Sequence, residues 1–202
     1  MTASALDIFN SGVTASLSAH ERRVQGDRNG ANALDQEALD AFEQVLAAEP
    51  DHAGALGGKG MALAQLGRTQ EAAECFQRGI ELNPNVAENH RQLGLCYAEI
   101  GDLDRAREAT RRAIDLEDTP EYREQAANDL SNFGDHALRA GRRHKAAGQS
   151  AEEERAYRHA HSLYWLALQI DGRNAHAEFG LDETERILCR YLSARRPWWR
   201  FW

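Results

Sequence analysis

Hydrophobic side chains recur at intervals of three and four residues along most of the chain, which is the spacing of one face of an α-helix. Residues 53–86 carry two such series, separated by Gly67. Glycine commonly ends a helix and proline rarely continues one, so Gly67 and Pro84 mark the two helix ends. The pattern predicts a helical hairpin, with a first helix over residues 53–66 and a second helix that Thr69 caps.

The hairpin repeats along the chain with a period of 34 residues. Small residues recur where the two helices of a hairpin must approach closely, at Gly60, Ala64 and Ala72 and again at Gly94, Ala98 and Ala106. A single hairpin cannot cover its apolar stripe, because that stripe continues on the outside of both helices. We therefore expect the hairpins to stack into one repeat array.

The repeat sets the expected organisation of the chain. Three units of equal length come first, and beyond residue 120 the period becomes longer. The predicted order is an N-terminal helix over 1–18, units over 19–52, 53–86 and 87–120, an extended fourth hairpin over 121–174, a capping helix over 175–194, and a tail over 195–202.

The fourth hairpin differs from the others in its connection. Its first helix is expected over about residues 121–141, and the polar segment 142–149 is expected to form the tip. Ser150-Ala-Glu-Glu153 has the sequence of a capping box, which predicts the start of the second helix.

The repeat resembles the tetratricopeptide repeat (TPR) family over residues 19–120. The matching positions are Leu93-Gly94, Tyr97, Ala106, Phe76, Pro50 and Pro84. Arg22, Leu56 and His90 stand where the family prefers tryptophan. The resemblance implies an all-α fold, a right-handed solenoid of helical hairpins with a C-terminal capping helix.

Composition excludes several classes of protein. The chain has 202 residues and a net charge of −8 without a basic stripe, which argues against nucleic-acid binding. No run of about 18 apolar residues is present, and the N-terminal residues lack the pattern of a secretory signal. The expected location is therefore cytoplasmic.

Motifs for catalysis and for cofactors are missing from the sequence. We find no HExxH, GxSxG, P-loop or GxGxxG pattern. His159 and His161 lie two residues apart on a predicted helix and so point in different directions, and Cys75 and Cys96 fall on interior helix faces. We expect no enzymatic activity, no metal site and no cofactor.

The TPR resemblance implies a concave groove that is lined by the first helix of each hairpin and receives a partner peptide. The family's groove positions correspond to Arg23, to Gly54, Gly57, Gly58 and Met61, to Glu88, Arg91, Gln92 and Leu95, and to Asn128, Ser131, Asn132 and Asp135. Glycines and an adaptable methionine in the second unit permit close approach of a partner. Alternatively, Gly57 and Gly58 merely loosen the helix, at about 1 kcal/mol each relative to alanine.

Some TPR proteins grip the C-terminal carboxylate of cytosolic chaperones with lysine, asparagine and arginine side chains at these positions. Here Arg23 and Asp27, Gly58, and Glu88 and Gln92 occupy the matching places. Of these residues only Arg23 has a suitable charge. We therefore predict that an acidic C-terminal chaperone peptide does not bind.

The tail is the segment that the repeat does not explain. Its expected contact residues are Arg195, Arg196, Trp198, Trp199, Arg200, Phe201 and Trp202. Pro197 stops the capping helix, and exposed aromatic side chains of this size commonly mark an interaction. Four binding sites for the tail remain open: a membrane interface, another subunit, the chain's own concave groove, and the chain's own last hairpin.

The sequence thus favours a non-enzymatic adaptor or scaffold that binds a partner peptide in the groove and uses the tail as a second contact site. Two alternatives stay open, a peripheral membrane recruiter that acts through the tail and a small acidic TPR export chaperone.

Overall fold

The computed structural model describes the backbone of residues 4–195 and the side chains of residues 4–191. Every element in this part of the chain is an α-helix, which confirms the all-α class and the hairpin architecture. In chain order the helices are α1 (Ala5–Val24), α2 (Arg28–Ala48), α3 (Ala53–Gln65), α4 (Thr69–Leu82), α5 (Ala87–Ile100), α6 (Leu103–Leu116), α7 (Pro120–Ala146), α8 (Ser150–Ile170) and α9 (Ala175–Arg195).

The helices form two compact units. The first unit contains α1 to α5 and Glu108–Leu116 of α6, and the second contains Gly101–Arg107 and α7 to α9. In the first unit each helix from α1 to α5 packs against the next, and α3 also contacts both α1 and α5. The first helices α1, α3 and α5 therefore form one layer, with α2 and α4 in the other. In the second unit α8 packs against both α7 and α9, which also contact each other.

Gly67 makes the predicted break between α3 and α4. Its φ of 76° lies in the left-handed region that glycine adopts without strain. The Arg68 N–H donates to the Leu63 carbonyl at 2.9 Å, and the Gly67 N–H donates to the Ala64 carbonyl at 3.0 Å. These two bonds close a Schellman motif, which satisfies carbonyls that the helix end leaves open.

Aromatic rings from second helices pack onto glycines of first helices. A Cβ placed on Gly60 would lie 2.9 Å from the Phe76 ring, and one placed on Gly58 would lie 2.4 Å from the Phe42 ring. Both rings are almost completely buried. The repeated small residues therefore serve the close packing of α3 against α2 and α4.

The same arrangement recurs in the second unit. The ring of Tyr164 lies between Gly134 of α7 and Gly180 of α9, where added Cβ atoms would come within 2.7 and 2.4 Å of it. Tyr164 is fully buried. This ring therefore joins all three helices of the unit.

Two predicted helix caps are wrong. The N-cap of α4 is Arg68, not Thr69, and the N-cap of α8 is Gln149, not Ser150. Neither residue makes a side-chain capping hydrogen bond. Thr69 is buried instead, and its hydroxyl donates to Glu99 Oε2 at 2.7 Å. The turn closes one residue earlier than predicted, because Arg68 both completes the Schellman motif and precedes α4.

Two helices are longer than the sequence pattern predicts. Helix α1 runs without a break across residue 18, where the N-terminal helix was expected to end. Helix α7 continues beyond residue 141 to Ala146, so residues 142–146 lie in helix rather than in a polar tip. Arg142 is held there by an ion pair with Glu183 of α9, with 2.5 Å between Nη2 and Oε1.

Candidate functional site

The predicted groove residues of α3 divide into two kinds. Gly58 packs under Phe42 and so forms no open floor. A Cβ placed on Gly57 would meet only Asn89 Oδ1 within 4 Å, at 3.4 Å, and Met61 is 43% exposed. Gly54 lies beside Phe9 and His52, each 3.3 Å from an added Cβ. The accessible surface of α3 at these positions therefore comprises half-buried Gly57 and exposed Met61, together with exposed Gly54 beside Phe9 and His52.

Charged residues of α5 neutralise one another. Arg91 is buried and binds both carboxylate oxygens of Glu88, with Nε–Oε2 and Nη2–Oε1 distances of 2.9 and 2.7 Å. Gln92 Nε2 also donates to Glu88 Oε1, at 2.7 Å. Leu95 is half-buried. This part of the first-helix layer thus presents amide and apolar groups beside a neutralised ion pair.

Arg23, on α1, forms an ion pair with Asp35 of α2. Asp35 is 3% exposed, and its burial raises the pKa of the carboxyl although the Arg23 guanidinium acts in the opposite direction. A buried carboxylate needs such a partner because desolvation disfavours its charge. The structure therefore assigns Arg23 a role in holding α1 on α2.

Two predicted residues of α7 contact the start of α9. Asn174 Nδ2 donates to Asn128 Oδ1 at 2.8 Å, and Ser131 Oγ lies 3.4 Å from Asn174 Oδ1. The Ala177 N–H donates to the same Asn174 oxygen at 2.8 Å. Asn174 thus caps α9 and joins it to α7. The sequence pattern did not identify Asn174 as a partner of Asn128, although an asparagine that precedes a helix is a recognisable capping signal.

Asp135 of α7 is the centre of a second cluster. The Tyr164 hydroxyl donates to Asp135 Oδ1 at 2.6 Å, and His176 Nε2 lies 3.1 Å from the same oxygen. Arg139 Nη2 lies 3.5 Å from Asp135 Oδ2. Burial opposes ionisation of Asp135, but the hydrogen bonds from Tyr164 and His176 outweigh it and lower the pKa of the carboxyl. Asn132 is exposed and lies outside this cluster.

A model of the tetratricopeptide repeat matches residues 36–87 and 66–122. Residues 36–122 of the chain are similar to the tetratricopeptide repeat. The matched residues extend from α2 beyond the end of α6, and TPR proteins are generally non-enzymatic scaffolds that bind other proteins. No curated protein sequence matches this chain significantly.

Solved structures are similar to the chain in fold alone. The first TPR of Spaghetti (RPAP3), bound to the HSP90 peptide SRMEEVD, shares 15% identity over 62% of this chain and 94% of that chain, with a TM-score of 0.46. MamA shares 20% identity over 86% and 97%, with a TM-score of 0.42. A thermophilic TPR protein of Thermus thermophilus shares 18% identity over 86% and 98%, with a TM-score of 0.43.

The remaining expectations concern the tail, membrane-spanning helices and the cysteines. Of the predicted tail contacts, residues 196–202 lie outside the described residues, and Arg195 is the last residue of α9. No helix between residues 4 and 195 combines the length and the apolar character that a membrane span requires.

Cys96 is buried, and this burial raises the pKa of its thiol to about 12. Such a thiol behaves as a small hydrophobic group rather than a nucleophile.

Proposed function

We propose that the chain is a non-enzymatic adaptor that binds a partner peptide on the first-helix layer of its first unit. The binding surface comprises Gly57 and Met61 of α3 with Gln92 and Leu95 of α5. The bare helix surface at Gly57 carries this proposal, because an added Cβ there has a single neighbouring atom. A partner's main chain can approach α3 closely at that point.

The chemistry of this surface favours a neutral peptide with apolar side chains. Arg91 forms an ion pair with Glu88, and Arg23 forms an ion pair with Asp35. Met61 supplies an exposed, adaptable thioether side chain, and Leu95 of α5 is half-buried. Specificity for a charged peptide would require cations or carboxylates that are available to it.

The second unit contributes less to this proposal. Asn128, Ser131 and Asp135 are engaged with α8 and α9, which leaves Asn132 as their exposed neighbour. The tail remains a proposed second contact site. The membrane-recruiter and export-chaperone alternatives stay predictions, since the former depends on the tail and the latter on no particular residue.

Peptides selected from a random phage library on the full chain would test the proposal. The variants are Gly57→Arg and Met61→Arg, and the control is Leu82→Arg, since Leu82 is similarly exposed, at 40%, but lies on the second helix α4. We expect each of the two variants to lower peptide affinity by at least about tenfold, or ~1.4 kcal/mol, and the control to leave it unchanged.

Equal affinity of the selected peptides for all three variants would overturn the proposal. Gly58→Arg is unsuitable for this experiment, because the Phe42 ring occupies the space that the new side chain needs. Circular dichroism of Gly57→Arg and Met61→Arg would establish that both variants remain folded.

A further inference from the structure

A groove of about 860 Å³ lies in the second unit, between α9 and the facing parts of α7 and α8. Its apolar lining consists of Phe179, Ile187 and Tyr191 of α9 and Tyr157 of α8. Phe179 is 70% exposed, which is unusual for a phenylalanine on a packed helix. The volume falls within the roughly 300–1,000 Å³ of pockets that bind small apolar ligands, so aromatic side chains fit in it. We call this cavity the terminal groove.

The rim of the terminal groove carries four cations and three carboxylates, Glu153, Asp182 and Glu183. Arg142 is ion-paired with Glu183, and Arg186 with Asp182 at 2.8 Å. Lys145 and Arg190 also line the groove. Guanidinium and ammonium groups bind the faces of aromatic rings, and tryptophan is the strongest of these partners. An apolar floor whose rim carries both cations and carboxylates therefore suits a segment that contains both tryptophan and arginine.

We propose that residues 196–202 of the same chain, Arg-Pro-Trp-Trp-Arg-Phe-Trp, occupy the terminal groove. Their aromatic side chains cover Phe179, Ile187 and Tyr191. This contact holds the tail away from membranes and from other proteins in the free chain. The proposal goes beyond the peptide site of the first unit and does not depend on it.

The position and the length of the segment support this occupant. The groove extends to Tyr191, one turn before α9 ends at Arg195. From Phe179 to Arg195 the helix is about 24 Å long at ~1.5 Å per residue. Residues 196–202 reach at most about 23–25 Å when extended at ~3.3–3.6 Å per residue. A segment that reverses after Arg195 therefore passes Tyr191 and Ile187 and approaches Phe179 only when it is almost fully extended.

Pro197 and the short connection between α9 and the tail both favour reversal within one chain. Pro197 disfavours continuation of the helix, and it biases the preceding residue toward extended backbone. A short tether also gives an effective concentration in the millimolar range, which a second copy at micromolar concentration does not match. The chain's own tail is thus the favoured occupant.

Tryptophan fluorescence tests the proposal in the full chain. Replacing Trp165 by phenylalanine leaves Trp198, Trp199 and Trp202 as the emitting residues. In this background we expect an emission maximum at shorter wavelength than that of a synthetic peptide of residues 195–202, and weaker quenching by acrylamide. Phe179→Asp should shift the emission to the wavelength of the peptide. Because Phe179 is exposed, this substitution should leave the far-ultraviolet circular dichroism unchanged.

Val24→Asp is the matched control, because Val24 is 75% exposed but belongs to the first unit, and it should leave the emission unchanged. Three results would overturn the proposal. The first is emission of the parent at the wavelength of the free peptide. The second is an emission maximum that depends on protein concentration, which would assign the tail to a second copy. The third is a shift with anionic phosphatidylserine vesicles that Phe179→Asp does not alter, which would assign the tail to a membrane.

Discussion

The ring of Phe42 on α2 lies so close to Gly58 on α3 that a Cβ on Gly58 would come within 2.4 Å of the ring carbon Cζ. At Gly57, one residue earlier, an added Cβ would meet only Asn89 Oδ1, at 3.4 Å. Two adjacent glycines of one helix thus have opposite roles. Gly58 admits a core ring, whereas Gly57 leaves the helix surface bare.

Alanine substitutions should separate these roles. Gly58→Ala forces a methyl group against the Phe42 ring, and we expect it to lower the free energy of unfolding by about 1–3 kcal/mol. Gly57→Ala has room for its methyl group and removes a flexible residue from a helix, so it should raise that free energy by about 0.5–1 kcal/mol. Urea unfolding of both variants measures the difference. Changes of the same sign at the two positions would contradict the assignment.

The cluster around Asp135 predicts a pH-dependent contribution to stability. Hydrogen bonds from Tyr164 and His176 lower the pKa of Asp135 in the folded chain, against the effect of burial. A carboxyl group whose pKa is lower in the folded state stabilises the fold above its ordinary pKa of about 3.9, and this contribution is lost as the pH falls through the folded value.

We therefore expect Asp135→Asn to be destabilising near pH 7 and to approach the parent chain as the pH falls below about 4. Tyr164→Phe removes the 2.6 Å hydrogen bond to the carboxylate and should cost about 1.5–3 kcal/mol near neutral pH. Urea titrations of the three proteins at several pH values provide the measurement. A deficit of Asp135→Asn that stays constant from neutral to acidic pH would contradict the role of its charge.

The helices of the repeat were predictable because their signals are local. Gly67 and Pro84 mark the ends of α3 and α4, and these helices begin and end within one residue of the predicted positions. The caps were harder to predict. A shift of one residue moves Thr69 from the cap into the buried first turn, where it donates to Glu99.

The site was predictable only in part, because its geometry depends on neighbouring hairpins. Periodicity identifies Gly57 and Gly58 as groove candidates but does not show which of them faces Phe42. It likewise identifies Asn128, whereas its partner Asn174 is 46 residues away in the sequence. The family resemblance indicates which positions of a first helix line the groove. The packing of neighbouring helices then determines which of those side chains are accessible to a partner.

Removal of Arg23 should expose the dependence of Asp35 on its ion pair. Arg23→Met leaves a carboxylate that is 3% exposed without this partner, and we expect a loss of about 3 kcal/mol in unfolding free energy. The double variant Arg23→Met/Asp35→Asn should recover part of this loss, because no buried charge then remains. Additive losses in the double variant would contradict the coupling of the two residues.

The same pair predicts a pH effect of opposite sign to that of Asp135. Burial raises the pKa of Asp35 in the folded chain. A raised carboxyl pKa favours folding at acidic pH, and this advantage is lost as the pH rises from the ordinary value toward the folded one. The deficit of Arg23→Met should therefore become smaller as the pH is lowered and Asp35 is protonated. Urea titration of Arg23→Met and the parent at several pH values would show this trend.

The arrangement of charges on the first unit predicts that an acidic C-terminal chaperone peptide does not bind here. Recognition of a peptide carboxylate requires cations that are available to it. Arg23 is committed to Asp35, Arg91 is buried against Glu88, and Gly58 is packed under Phe42. We expect calorimetry with the full chain to detect no binding at micromolar peptide. A micromolar Kd, equivalent to about −8 kcal/mol, would mean that these ion pairs open to admit the peptide.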